Sequence, residues 1–304
     1  MGAAMLNLGT PIITTFGSVL ILFPTLFSFG MAADSLKSFI LSEFKDLQHR
    51  CHDAMKSPKG LDVDDSFLQK CMMKCQGVTS NFPTTISGGQ VSYYIQQYAE
   101  AILDFTYHDE NVLSDADFPE KNAKERIAKI FSYLDKVSEM CLVVSPNSKP
   151  EELLGNELAE CLLWRRGALL YGYCATIHGE KERRDRQVVE LRQNLQMGVH
   201  YLLMLFKIRN TVFGTTHVPN DNETLELLKR GIYSETHLLA LMYGGEMCYW
   251  FISTTKDETE SERAARAIGL EMLNTCVQAI ESIPELQAGW NTERAKELIT
   301  AMNS

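Results

Sequence analysis

Apolar residues recur in this chain at three- and four-residue spacing almost from end to end, and no window of six alternates convincingly between apolar and polar. A helix returns to the same face every 3.6 residues and a strand every two, so this period dictates helices. The predicted fold class is all-α, a single globular domain of about nine to ten antiparallel helices spanning residues 31–304. The tetratricopeptide spacing of Trp, Gly, Tyr, Ala and Pro is not met, and no other fixed repeat is evident, which argues against a regular solenoid.

Local signals divide the chain. Ser35 is placed to cap a first helix with the stripe Phe39, Ile40, Phe44, Leu47 and Met55, which Ser57-Pro58-Lys59-Gly60 ends. A second helix is expected over 64–76, and a third carries Val91, Tyr94, Ile95, Tyr98, Ile102 and Phe105. From Glu100 to Glu120 there are seven carboxylates and no Lys or Arg, which reads as an acidic connector. Helices are expected at 122–141, 151–177, 186–210, 222–229, 234–253, 260–283 and 292–302, with Ser261-Glu262 and Thr292-Glu293 supplying N-terminal capping and acidic groups.

The 304 residues hold 29 Lys+Arg against 39 Asp+Glu, a formal charge of -10, so there is no basic face large enough for general nucleic-acid binding. An apolar fraction of 45% is ample to offset chain entropy, which excludes disorder throughout. The first 33 residues carry no charged side chain. Residues 12–29 have the length of a short membrane span or a signal-peptide core. Against both stand the missing basic flank, Gly17, Pro24 and the pair Thr14-Thr15. The expectation is an extraneous or disordered apolar leader over 1–30, with a membrane anchor and a signal peptide as the alternatives. The -10 then belongs entirely to the remaining residues.

Eight cysteines show no paired metal-ligand spacing; Cys71 and Cys75 stand on adjacent helical turns and the others fall singly in apolar patterns. Free buried thiols, as in a reducing compartment, are expected. No metal or other cofactor is expected.

Two helices are apolar nearly all round, the mark of central, buried elements. In the stretch 153–171, Glu157, Glu160, Cys161, Trp164, Ala168 and Tyr171 share one side, while Arg165 and Arg166 interrupt the apolar remainder. None of these four charges has an opposite partner one turn away, and burying them alone would cost several kcal/mol. Partners must come from another helix or another protein. In 234–250, Glu235, Met242, Glu246 and Trp250 fall near one side and His237 opposite, and Gly244-Gly245 sits mid-helix, which close approach of another helix backbone would explain. Glu157, Glu160, Arg165, Arg166, Glu235, His237 and Glu246 are therefore the candidate buried polar network. A dinuclear metal site is disfavoured because no Glu-x-x-His occurs, and Asp62-Val63-Asp64-Asp65 reads as a solvated helix start. No phosphate loop, dinucleotide fingerprint or nucleophile elbow appears. The basic run Lys181, Arg183, Arg184, Arg186 is interleaved with acids and reads as a solvated helix start or, alternatively, a membrane or acidic-protein contact. The acidic connector, with its aromatic residues, is either a folded surface loop or a dock for a basic partner, with Asp104, Asp109, Glu110, Asp115, Asp117 and Phe118 as the candidate docking residues.

The blocks Ile102–Tyr107 with Asp117-Phe118-Pro119-Glu120, Leu153–Tyr173, Gly231–Trp250 and Trp290-Asn291-Thr292 with Ala295-Lys296 resemble, in order and over about residues 31 to 302, one animal family. It is the Rab-interacting accessory subunit family of the Mon–Ccz guanine-nucleotide exchange complex. The resemblance implies a non-enzymatic subunit working with Mon, Ccz and the third, bulli-like subunit on the late-endosomal Rab GTPase, Rab-seven. It implies support of Rab membrane recruitment and activation, endolysosomal traffic and mitophagy. The implied location is cytoplasmic, with recruitment to late endosomes, lysosomes or damaged mitochondria and peripheral membrane association through partners. No active-site motif of the family is carried over. Its members begin near an equivalent of Met31, so 1–30 is this sequence's departure. The competing reading is a cofactor-independent α-helical enzyme using Glu157, Glu160 and His237, which requires the three in one pocket.

Overall fold

The computed structural model describes residues 33–56, 65–208, 226, 235–255 and 259–304. Among these, helices are the only regular structure, as the sequence period requires. The nine longer ones are α1 (Ala33–Lys56), α2 (Ser66–Ser80), α3 (Gly88–Asp115), α4 (Ala123–Val144), α6 (Asn156–Gly179), α8 (Val188–Lys207), α9 (Glu235–Ser253), α10 (Glu260–Ser282) and α12 (Glu293–Asn303). Short turns α5 (Pro150–Leu154), α7 (Lys181–Arg186) and α11 (Pro284–Gln287) link them. The leader, the Ser57–Gly60 break, Asp62–Asp64 and nearly all of the helix expected over 222–229 lie outside the described residues.

The first four helices are amphipathic and pack by their stripes. Ile40, Phe44 and Leu47 of α1 are fully or almost fully buried, as are Ile95 and Ile102 of α3. Phe44 meets Tyr98 edge-on at 5.4 Å, and Phe105 meets Tyr133 of α4 at 4.9 Å. Cys51 and Cys71 bring their sulfurs to 3.2 Å between α1 and α2. Hydrogen bonds from Cys51 and Cys75, with burial, push the Cys71 thiol up. All eight cysteines are free thiols, and Cys161 alone is exposed.

The later helices pack differently. Leu202 of α8 lies over Gly167 of α6, and Met247 of α9 over Gly198 of α8. Met272 and Leu273 of α10 lie over Gly244 and Gly245, and Met302 of α12 over Gly269. A β-carbon at any of these glycines would meet the neighbouring side chain below ordinary contact distance, so glycine is what admits the close approach. The glycine pair of α9 thus receives side chains of α10, where a helix backbone was expected. These crossings make α8 antiparallel to both α6 and α9, and α6 therefore runs parallel to α9.

Helices adjacent in sequence run antiparallel where these crossings fix their sense, as expected, and α6 and α9 run parallel because both pack on α8. Several expectations are corrected. The acidic connector is no loop down to Asp115: the 28-residue α3 runs on through it to that residue, since its apolar stripe continues through Phe105 and Leu113, both buried. The helix expected over 151–177 is broken at Gly155, whose φ of 78° suits glycine and leaves α5 as a separate turn started by Pro150. The capping box of α10 is built one turn's start earlier than expected, by Thr259 with Glu262.

Candidate partner-docking site

The candidate acidic residues divide once their surroundings are seen. Asp104 faces inward to Lys74 of α2 at 2.8 Å. Asp109 lies 3.7 Å from His108 and 3.8 Å from Arg126 of α4. Glu110 accepts from Arg165 of α6 at 2.8 Å, and the same guanidinium lies 4.5 Å over the Tyr107 ring. Burial pushes the Glu110 carboxyl up to about 7, against the pull of the Arg165 charge and hydrogen bond. Only Asp115 and Asp117 of the six are exposed.

Phe118 is a support and not a surface residue. It is 6% exposed, with its ring near Tyr173 and against Gly172 of α6. Its φ is 47° and that of Asp117 is 49°, a left-handed corner that bulky residues rarely adopt. The corner is held from outside: buried Arg183 donates to the Phe118 carbonyl at 2.8 Å.

The polar network divides in the same way. Arg166 is buried; it donates to Asp135 of α4 at 2.7 Å and to the Leu162 carbonyl at 2.9 Å. With Arg165 on Glu110, this supplies the α6 arginines from two other helices, as their lack of local partners demanded. Buried Glu160 lies 3.6 Å from buried His237 of α9. Buried Glu246 accepts from the Tyr171 hydroxyl at 2.9 Å and from Arg294 of α12 at 3.0 and 2.5 Å. Glu157 and Glu235 are exposed. Glu157, being exposed, is not buried with the Glu160–His237 pair. Among the described residues, no His, Cys, Asp and Glu group has the geometry of a metal site, and no helix is long and apolar enough to cross a membrane.

What the sequence reading missed is an aromatic ladder between the parallel helices α6 and α9. Trp164 stacks on Tyr243 (5.7 Å), Tyr243 on Tyr171 (3.7 Å, rings 2° apart), Tyr171 on Trp250 (5.3 Å) and Trp250 on His178 (5.2 Å). Its sequence signal is aromatic residues seven apart, at 164, 171 and 178 on one helix and at 243 and 250 on the other. Seven residues is close to two turns, so such residues share one face. Burial, and then the Arg184 charge, lower the pKa of His178. At the ladder's end a cleft of about 390 Å³ opens, lined by His178, Arg184, Val188, Tyr249, Ser253 and Thr254 among others.

The comparisons with known proteins bear on this whole assembly. The family model described as RAB7A-interacting MON1-CCZ1 complex subunit 1 matches residues 67–303, from the start of α2 to the end of α12. A Danio rerio protein of that name is 34% identical over 246 residues, covering 79% of this chain and 89% of the relative. The Homo sapiens protein of the same name is 35% identical over 229 residues, covering 68% of this chain and 77% of its own length. The Mus musculus one is 33% identical over 228 residues. No solved structure matches significantly. The Arg165–Glu110 and Arg166–Asp135 pairs, the glycine crossings and the ladder all lie inside the matched span, and this chain belongs to the family of the RAB7A-interacting MON1-CCZ1 complex subunit 1.

Proposed function

We propose that this chain is a non-catalytic accessory subunit that binds RAB7A and the MON1–CCZ1 complex and supports recruitment and activation of the GTPase on late-endosomal membranes. The observation that carries this is the family match across 67–303, which takes in nearly every described helix rather than a fragment. The polar geometry fits it. The buried charges of α6 and α9 are spent on Glu110, Asp135 and Arg294, as in a scaffold. The finer reading places the protein in the cytoplasm, drawn to late endosomes, lysosomes or damaged mitochondria through its partners, with a bulli-like subunit among them and roles in endolysosomal traffic and mitophagy. The exposed acids Asp115 and Asp117 remain the proposed docking residues of the former acidic stretch.

The direct test mixes the purified full chain with purified MON1–CCZ1 and RAB7A and follows co-elution and nucleotide exchange. Co-elution, with no exchange by the chain alone, is expected. A folded chain that binds neither partner refutes the proposal.

A further inference from the structure

Three of the nine prolines follow a hydroxyl residue, in Thr10-Pro11, Ser57-Pro58 and Ser145-Pro146. Of these pairs, the last is the one that lies among the described residues. Ser145 directly follows α4, and residues 145–149 carry the chain across to α5. Its φ of -141° and ψ of 81° hold it out of the helical region, which a following proline disfavours. Its amide donates to the Cys141 carbonyl at 2.8 Å, and its hydroxyl donates to the Ser148 hydroxyl at 2.7 Å. The hydroxyl is thus held by another loop side chain and not by the core. Pro146, Asn147 and Lys149 around it are exposed.

A protein kinase takes its acceptor in an extended segment, so residues just before Ser145 must leave the helix. The last turn of α4 can do so at low cost. Leu142 and Val143 are 40% and 38% exposed, so opening them gives up little apolar burial. No basic residue in that turn binds the final carbonyls or offsets the negative end of the helix. Met140 and Cys141 behind it are buried and anchor the rest of α4. On the far side, Ser92 and Gln96 of α3 donate to the Leu153 carbonyl and hold α5 in place. The segment that can open is therefore short and bounded at both ends.

We propose that Ser145 is the acceptor site of a proline-directed protein kinase and that its phosphate unwinds the last turn of α4. In the transfer, Ser145 Oγ bonds to the γ-phosphorus of ATP as the bond from that phosphorus to its bridging oxygen breaks. ADP leaves, and the hydroxyl proton passes to the carboxylate base of the kinase. The Ser145 hydroxyl then has no proton to donate to Ser148. The phosphate brings about two negative charges to the negative end of a helix. Within seven residues on either side stand Glu139, Glu151 and Glu152 against Lys149 alone, so repulsion outweighs attraction. The switch needs no partner and stands or falls separately from the accessory-subunit role.

The experiment incubates the purified full chain with ATP and a proline-directed kinase of the mitogen-activated class, and tandem mass spectrometry locates the phosphate. Ser145 should be phosphorylated in the native chain. Ser145→Ala should abolish that phosphate, and Pro146→Ala should slow its incorporation at least about tenfold. Circular dichroism checks that both variants fold. Phosphate on Thr10 or Ser57 without Ser145, or on Ser145 only after heat unfolding, overturns the proposal. Unchanged incorporation in Pro146→Ala does the same. Hydrogen exchange of the phosphorylated chain then reads the consequence: the amides of residues 142–145 should exchange at least about threefold faster than in the unmodified chain. Equal or slower exchange there overturns the switch. No exchange complex is present in this assay. A chain that is phosphorylated and unwinds, yet binds neither MON1–CCZ1 nor RAB7A, loses the proposed function and keeps the switch; the reverse pattern keeps the function and removes the switch.

Discussion

The helices α1–α4 and the helices α6–α10 solve the same packing problem by different means. In the first set, each helix has one apolar stripe, and large side chains meet edge-to-face, as Phe44 with Tyr98 and Phe105 with Tyr133. In the second, α6 and α9 are buried on several sides, glycines at the crossings let side chains of the neighbours sink in, and the aromatic rings stack flat. One-sided helices need only a good stripe. A helix surrounded by neighbours needs small residues where they cross and partners for every charge it carries. The two sets are joined at Arg165 and Arg166, which reach from α6 to Glu110 and Asp135.

Cutting that joint gives the largest expected effect. Arg165→Met removes the cation from a carboxylate whose side chain is 12% exposed, and we expect a loss of about 3 kcal/mol at pH 8. The Glu110 carboxyl, raised in the fold from 4.5 to about 7, favours the folded state when protonated. Its contribution is complete below the unfolded value of 4.5 and is lost as pH rises through about 7. The Arg165→Met penalty should therefore shrink on going from pH 8 to pH 5, and Glu110→Gln should erase that pH dependence. Urea titrations at the two pH values measure it; a penalty that grows on acidification contradicts the assignment.

The glycine comparison can be broken next, in opposite directions. Gly245→Val forces a side chain into Leu273 of α10 and should cost about 2–3 kcal/mol. Gly77, on the exposed face of α2, has open space where a β-carbon would go, so Gly77→Ala should stabilise by up to about 1 kcal/mol. Thermal denaturation of the two variants decides whether tight crossings belong to the later helices alone.

The same difference explains what the sequence disclosed. Stripes such as Phe39–Leu47 and Ile127–Val137 are local, and period alone located α1 and α4. The all-round apolar character of α6 and α9 marked them as central, and the missing i+4 partners of Arg165 and Arg166 marked them as charges paired elsewhere. Which carboxylates answered could not be read, because Glu110 and Asp135 lie 55 and 31 positions away. Composition misled at the acidic stretch: seven carboxylates suggested a loop, yet Phe105 and Leu113 kept the helical stripe going, and three of its acids turn inward to Lys74, Arg126 and Arg165. The ladder was visible only as two heptad spacings on separate helices. Its existence depends on α6 and α9 running parallel, which is a property of the tertiary fold.

Within the ladder, Tyr171 both stacks and donates to Glu246. Tyr171→Phe keeps the ring and removes the donor to Glu246 Oε2, and should cost about 1 kcal/mol, since Arg294 still pairs with Oε1 and keeps the charge compensated. Tyr171→Ala removes the middle rung and, the ring being part-buried, should cost about 2 kcal/mol. If the two variants are equally destabilised, the stacked rings contribute nothing beyond the hydrogen bond. The later region would then be held by its glycine crossings and ion pairs without help from the ladder.

The smallest expected effect on the fold separates the two kinds of acid in α3 and its corner. Asp115 and Asp117 are exposed, and the backbone at Asp117 is left-handed, a conformation that Asn adopts as readily as Asp. Asp115→Asn with Asp117→Asn should therefore leave stability within about 0.5 kcal/mol. Asp104→Asn should be felt more, because it takes a charge from Lys74 in a part-buried setting. If the exposed pair also weakens capture of MON1–CCZ1 or RAB7A, the weakening should fade as salt screens the missing charges. Acids that hold the fold would then be distinguished from acids that face a partner by one measurement each, denaturation for the first and salt-dependent binding for the second. A double variant that binds as tightly as the wild type at low salt confines the docking role to other surfaces and leaves α3 a purely structural helix.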